Sequence, residues 1–409
     1  MLGLEKFWAL LIIAVVAGAV IRYAPVVPRR YRVALAALVV VAVLVYMPFT
    51  VGSFRTSQLT TIATWSMVAI GLNILTGYNG QISLGHGAFV LLGAYTAAIL
   101  TDHQPQLQHL YIGDFDLGFI DNSPWPFWTA MIAAGVVAAV AGLVVGVPSL
   151  RLSGPYLAVA TLALVIALPP MLEKYEDVTG GHQGLRVPQP PAPGFLGDTL
   201  DRQQWFFFLS FITLVLLVAL AWIIVRSRWG RAFVAVRDTE IGAAAVGISV
   251  ARYKVLAFVI SAFYAGIAGS VFAFAVSGFV SPQSVAVVLS INYFTAIVIG
   301  GLGSIMGSII GGFVVVLLPE VSTHVGDVFF DPDRAKRLWP TFYGAILILV
   351  IAVMPFGIAG FIHRLARTTV TDLRKGIVGL PGRLSDRLQQ MAQDLSWAWE
   401  ARPWKRHRP

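Results

Sequence analysis

The strongest constraint on this chain is where charge is missing. Between Thr56 and Thr101, and again between Val255 and Pro319, there is no Asp, Glu, Lys or Arg. A helix needs about 20 apolar residues to cross a hydrocarbon core ~30 Å thick. The first block therefore reads as two helical segments and the second as about three. Inside lipid every backbone N–H and C=O must be bonded within the protein, which leaves helices or a closed barrel. The short alternating strands of a barrel are absent from the sequence,. The chain is 57% hydrophobic and 12% charged, against about 25% charged in soluble domains. The expected fold is an all-α polytopic membrane protein.

The other apolar runs are Phe7–Ile21, Val33–Phe49, Phe127–Val147, Pro155–Leu172, Trp205–Val225 and Pro340–Ile358. With the second block divided as Val255–Val276, Val285–Gly301 and Ile305–Leu318, the total is about 10–11 transmembrane segments with glycine-broken helices. Phe7–Val20 has the length of a signal-peptide core, but no soluble domain follows it, and it is read as a retained anchor,. Arginines crowd at Arg22, Arg29, Arg30 and Arg32, at Arg226–Lys254 and in the tail, which assigns those segments to the cytoplasm and the N-terminus to the outside,. The net charge of +9 sits in these loops, where it sets topology and meets anionic membrane lipid,. It is not a nucleic-acid signal. Three regions follow: residues 1–55 with two N-terminal helices, a core at 56–362, and a basic tail at 363–409. In the tail Leu384, Leu388, Met391, Leu395 and Trp399 recur at helical spacing. Either an amphipathic helix on the inner membrane surface or a solvated tail accounts for them.

Two places inside the apolar blocks are dense in glycine, Gly77–Phe89 and Gly300–Phe313. Interrupted helices at corresponding places in two halves point to a substrate path, although close helix packing also selects small residues. The first break carries neutral polar groups, Asn73, Asn79, Gln81 and Ser83, beside Gly80, Gly85 and the only histidine of the two blocks, His86; Thr161 lies in a later span. Such groups, with freed backbone N–H and C=O, can hold a polar solute without buried charge. The other reading is a helix-breaking turn whose polar groups pack between helices. The outer loop Glu173–Gln204 holds Thr179, Gly180, Gly181 and Gly184, either a plain turn or a contact surface and gate,. Its Pro188, Pro190, Pro191 and Pro193 argue against regular structure,.

The basic loop Arg226–Lys254 has internal order. Asp238 is a candidate cap for a helix over Thr239–Val246, Glu240 suits the positive end of its dipole, and Gly247 can end it in the left-handed conformation,. A helix about 12 Å long at ~1.5 Å per residue is marginal in water. Gly242, Ala243, Ala244 and Ala245 offer it little to anchor on, a surface suited to lying against a partner or merely covering helix ends.

No catalytic residue and no metal site is indicated: the metalloprotease, nucleophile-elbow and phosphate-loop motifs are absent,. The two blocks hold no carboxylate, which argues against proton coupling,.

The residues 240–247, Glu-Ile-Gly-Ala-Ala-Ala-Val-Gly, resemble the coupling loop of ATP-binding-cassette (ABC) importers, without its usual Leu-Pro ending. The stretch Asn73–Phe89, with Gly154–Ala163, Thr179–Leu185, Arg237–Ile241 and Val298–Ser304, resembles branched-chain amino acid ABC permeases, the larger of that system's two permease types. The resemblance covers about Gln58–Met354. It implies a multi-pass permease of a bacterial inner membrane, working by alternating access beside a second homologous permease, two ATP-binding-cassette subunits and an extracytoplasmic substrate-binding protein. Its substrate would be a branched-chain or related amino acid, and ATP and Mg would be bound by the ATPases rather than by this chain. It also implies coupling roles for Arg237, Asp238, Glu240, Ala243, Ala244 and Gly247. Urea or short amides fit the same architecture. Outside it stand a channel, an ion-coupled carrier and a non-transporting scaffold.

Overall fold

The computed structural model describes residues 7, 9–10, 29–101, 111–112, 115–116, 126–152, 154–192, 200–285, 287–329, 332–353 and 357–361. The expected first span Phe7–Ile21 and the tail helix around Leu384–Trp399 lie outside them, apart from three residues of the former. The chain divides into two compact units, residues 1–55 with 360–409, and residues 56–359. In the first, helix α1 (Arg29–Tyr46) runs into a 3-10 turn, Met47–Phe49, with Pro48 in its first turn.

The second unit holds most of α2 (Ser53–Asn73), then α3 (His86–Thr101), α4 (Phe127–Ser149), α5 (Pro155–Lys174), the single turn α6 (Glu176–Thr179), α7 (Arg202–Arg226), α8 (Arg228–Asp238), α9 (Glu240–Ala245), α10 (Val250–Val271), α11 (Val287–Gly300), α12 (Ile305–Phe329) and α13 (Pro332–Val353). Among the described residues seven helices are long and apolar enough to cross a membrane, and three shorter apolar ones, Leu38–Phe49, His86–Thr101 and Pro340–Leu349, accompany them. The chain is a multi-pass α-helical membrane protein.

Burial ranks the spans. The apolar window of α2 with its terminal turn is 89% buried, while that of α5 is 28%. Helix α10 is the second central element, lying between α3 and α4 with glycines at the crossings. A Cβ on Gly93 would meet the Gly266 carbonyl, one on Gly269 the Val90 carbonyl, and one on Gly142 the Ala262 methyl. Backbones approach this closely only where side chains are missing, which is how helices pack when lipid supplies no hydrophobic drive between them. The outer faces of α4 and α5 expose Ile132, Val136, Val140, Leu143, Val159 and Ile166, the surface expected to meet lipid tails,.

Both central helices end alike. α2 widens into a π-turn, Ile74–Tyr78, and α10 into another, Phe272–Ser277. Each is followed closely by a left-handed glycine, Gly80 or Gly278. The second glycine-dense place of the sequence, Gly300–Phe313, holds the non-helical residues 301–304 between α11 and α12. There α11 and α12 form a tight hairpin, in which Gly300, Gly307 and Gly311 let the two backbones touch. A further interruption, with the same π-turn and left-handed glycine as Ile74–Gly80, lies at Phe272–Gly278. The reading missed it because this stretch of α10 has no glycine cluster to mark it. In the outer loop α6, a 3-10 turn at Gly181–Gln183 and a strand Leu185–Arg186 antiparallel to Phe279–Val280 precede the prolines, and residues 187–192, with Pro188, Pro190 and Pro191, have no regular structure.

Candidate functional site

Residues 79–85 join α2 to α3 without helix, and five other elements converge on this break. Asn73, just before the π-turn, is 1% exposed. Its amide donates to the Ser304 carbonyl at 2.9 Å and the Ser308 hydroxyl at 2.7 Å, lies 3.3 Å from the Gly301 carbonyl, and accepts from the Gly303 N–H at 2.8 Å. It therefore latches the first glycine break onto the α11–α12 hairpin. Gly77 is glycine for the same reason, since a Cβ there would lie 1.8 Å from the Asn73 Oδ1 and 2.4 Å from the Gly303 nitrogen.

Beyond the π-turn, the Leu84 N–H donates to the Thr161 hydroxyl of α5 at 3.0 Å, and Gly85 packs on the Thr161 carbonyl. The Ser290 hydroxyl of α11 donates to the Leu84 carbonyl and accepts from the Gly87 N–H at 3.0 Å. His86 is fully buried between two serines, Ser83 at Nδ1 and Ser261 of α10 at Nε2. The Ser261 hydroxyl is used in donating to the Gly71 carbonyl at 2.7 Å, so it accepts from His86, which places a proton on Nε2,. This histidine is a packing bridge between helices.

Asn79 differs from its neighbours. It is 2% exposed, and neither its Oδ1 nor its Nδ2 has a hydrogen-bond partner among the described residues. Leaving such a group unsatisfied costs about 1–3 kcal/mol.

The basic loop reaches the same break twice. The Arg237 guanidinium donates from Nη1 to the Gly77 carbonyl at 2.8 Å and is oriented by the Asp238 carboxylate, 3.1 Å from Nε and 3.0 Å from Nη2. Its side chain lies against Gly80, whose φ of 81° suits glycine,. The Gln81 amide donates to the Lys254 carbonyl at 3.0 Å, and the Lys254 ammonium pairs with Glu240 at 2.6 Å.

Within the loop α8 is amphipathic, burying Ala232, Phe233 and Val236. Thr239 caps α9, its hydroxyl accepting from the Gly242 N–H at 3.2 Å. This corrects the expected cap Asp238, which is the last residue of α8 and engaged by Arg237. The helix is accordingly shorter than Thr239–Val246. Gly247, at φ 82°, closes it as expected, with Ile248 N–H on the Ala243 carbonyl and Gly247 N–H on the Ala244 carbonyl, both at 3.0 Å,. Ala243 is buried, whereas Ala244 is exposed, and Ile241 and Val246 project into solvent at 85% and 75%.

At the opposite end of α10, Thr179 donates to the Leu172 carbonyl at 2.7 Å and lies 2.9 Å from the Tyr175 carbonyl, closing the end of α5. Gly180, Gly181 and Gly184 all have positive φ. The Val187 N–H bonds the Gly278 carbonyl at 3.1 Å, so this loop is stitched to the second π-turn by its backbone. Sequence reasoning missed Ser261, Ser290, Ser304, Ser308 and Lys254 as partners of the break. Their one available signal was a hydroxyl or a terminal charge at the edge of a charge-free helix.

Interrupted central helices, a neutral polar break and a short exposed helix on a basic loop define a multi-pass helical permease. The chain belongs to the family described as the permease component of the branched-chain amino acid transport system, which matches residues 54–351. It is 33% identical over 313 residues to the high-affinity branched-chain amino acid transport system permease protein LivM of Escherichia coli, covering 71% of this chain and 68% of that protein. Over 312 residues it is 26% identical to LivH of the same organism, covering 73% and 92%. The autoinducer 2 import system permease protein LsrC of Salmonella paratyphi B is 27% identical over 231 residues, 53% of this chain and 62% of LsrC. No solved structure matches the chain.

Proposed function

We propose that this chain is a permease subunit of an ATP-driven importer of branched-chain amino acids in a bacterial inner membrane. In this reading it pairs with a second homologous permease, takes substrate from an extracytoplasmic binding protein and is driven by two ATPase subunits that bind the ATP and Mg. The relatives named for branched-chain amino acid transport support the cargo. The observation that carries the mechanism is α9, a capped helix that buries Ala243 and turns Ile241 and Val246 outward. Apolar side chains this exposed at the tip of a loop suit a partner protein better than solvent. The basic charge around α9 supports a partner on the cytoplasmic side,.

Substrate would pass the break at residues 79–85. Asn73, Gln81, Ser83, His86 and Thr161 hold the walls through bonds within the protein, and Asn79 offers the idle amide. Gly80 and Gly85 keep the wall low, and the turn Thr179–Gly184 stands at the outer mouth as gate or docking surface for the binding protein.

The deciding experiment is uptake of labelled leucine and of urea in cells with and without this chain, before and after ATP depletion at constant proton gradient. Leucine uptake requiring both chain and ATP is expected. Urea uptake alone would change the cargo and keep the machine, and uptake that survives ATP depletion would sink the reading.

A further inference from the structure

The loop that carries α9 has two polar ties to the Gly77–Gly85 break, one from the Arg237 guanidinium and one through Lys254. The Gly77 carbonyl lies in the π-turn, where the helical pattern of bonding has shifted: Asn79 N–H goes to the Ile74 carbonyl at 3.2 Å and Gln81 N–H to the Leu75 carbonyl at 3.2 Å. In a regular helix Gln81 N–H would serve Gly77 instead. The Arg237 guanidinium stands in for that missing donor. The second tie runs from Glu240, the first residue of α9, through the Lys254 ammonium, and from the Lys254 carbonyl to Gln81 on the far side of the break. One tie grips the break before Gly80 and the other after it.

We propose that Arg237 and Lys254 form the mechanical relay through which a displacement of α9 reaches the helix break. The inference rests on the proposed function and adds positioning residues to it. The Gly77 carbonyl lies in the last turn of its helix, and it gains a backbone donor only where the helix continues through the left-handed Gly80 to Gln81,. Pulling the guanidinium away removes the bond that favours the π arrangement, and pushing it in restores that bond. Movement of α9 thus biases an equilibrium at the break, which is what coupling between two separated places requires. The break is in turn latched to the α11–α12 hairpin by Asn73, so one shift moves both walls.

The test uses the complete transporter in proteoliposomes and reads ATP hydrolysed per leucine moved. Arg237→Ala is expected to keep assembly and hydrolysis but raise that ratio about tenfold, the scale of losing one hydrogen bond from a charged donor. Arg237→Lys is expected to fall between, because an ammonium reaches the carbonyl without the bidentate hold on Asp238. A general loss of fold would lower hydrolysis and transport together and leave the ratio unchanged. Should Arg237→Ala not assemble, Asp238→Asn decides: it is exposed, conservative, and expected to raise the ratio about threefold by loosening the guanidinium,. An unchanged ratio in Asp238→Asn and Arg237→Lys overturns the relay while leaving ATP-driven import intact. ATP-independent uptake by the wild-type chain would overturn both.

Discussion

The two ends of the central helix pair use the same backbone device and fasten it in opposite ways. At Ile74–Gly80 the π-turn and its left-handed glycine are held by side chains from distant segments, namely Arg237, Asn73 through the 301–308 hairpin, and Gln81 through Lys254. At Phe272–Gly278 the same turn is held mostly by backbone, through the Leu185–Val280 pairing and the Val187–Gly278 bond. Side-chain ties can be released singly, because each is one or two bonds on a rotatable stem. A backbone ladder opens only as a unit. The difference makes the first break the more easily released of the two and the second, at the proposed outer mouth, the more firmly held.

This contrast can be broken from either side, and the largest effect is expected at the rigid end. A Cβ on Gly184 would stand 2.2 Å from the Val280 carbonyl, at a residue with φ of 67°. Gly184→Val combines backbone strain with overpacking, together about 3 kcal/mol of stability, and should abolish the Leu185–Val280 pairing. Denaturant titration in detergent measures it; a variant as stable as wild type would mean that the mouth is as adjustable as the inner break.

Asn73→Ala comes next. It removes three close side-chain bonds across helices, each worth about 0.6 kcal/mol in membrane proteins, so a loss of about 2 kcal/mol is expected. The same titration should place it below Gly184→Val. If Asn73→Ala is neutral, the latch between the break and the α11–α12 hairpin does not exist in the membrane.

Asn79→Leu sharpens the comparison with the smallest effect on stability and the opposite sign. Removing an unpartnered buried amide should leave the fold equally stable or up to about 1 kcal/mol more stable, while leucine uptake falls. A fall in stability like that of Asn73→Ala would make Asn79 a packing residue and remove it from the substrate path.

Much of this was legible in the residues, and the gaps have physical causes. The helical class and the approximate spans follow from the charge-free blocks, because lipid leaves the backbone no alternative. The first break was visible because its glycines cluster with amides. The second was invisible because a π-turn needs no special residue: Phe272–Ser277 is as apolar as the helix before it. The cap on α9 was misread by one position because Asp238 and Thr239 are both good caps, and the choice fell to Arg237, a neighbour that competes for the carboxylate.

The order of amino acids alone determined that this chain spans a membrane as helices, that Gly77–Gly85 interrupts one of them, and that a basic loop carries a short helix with a small-residue face. Those are local matters of hydropathy, backbone freedom and charge. Only the tertiary structure decided that Arg237 closes the Gly77 carbonyl, that Asn73 is bonded while Asn79 is idle, and that two similar turns differ in their fastening. Hydrogen bonds between residues 160 or 230 positions apart leave no periodicity in a sequence. They exist only where packed helices bring a donor and an acceptor within reach.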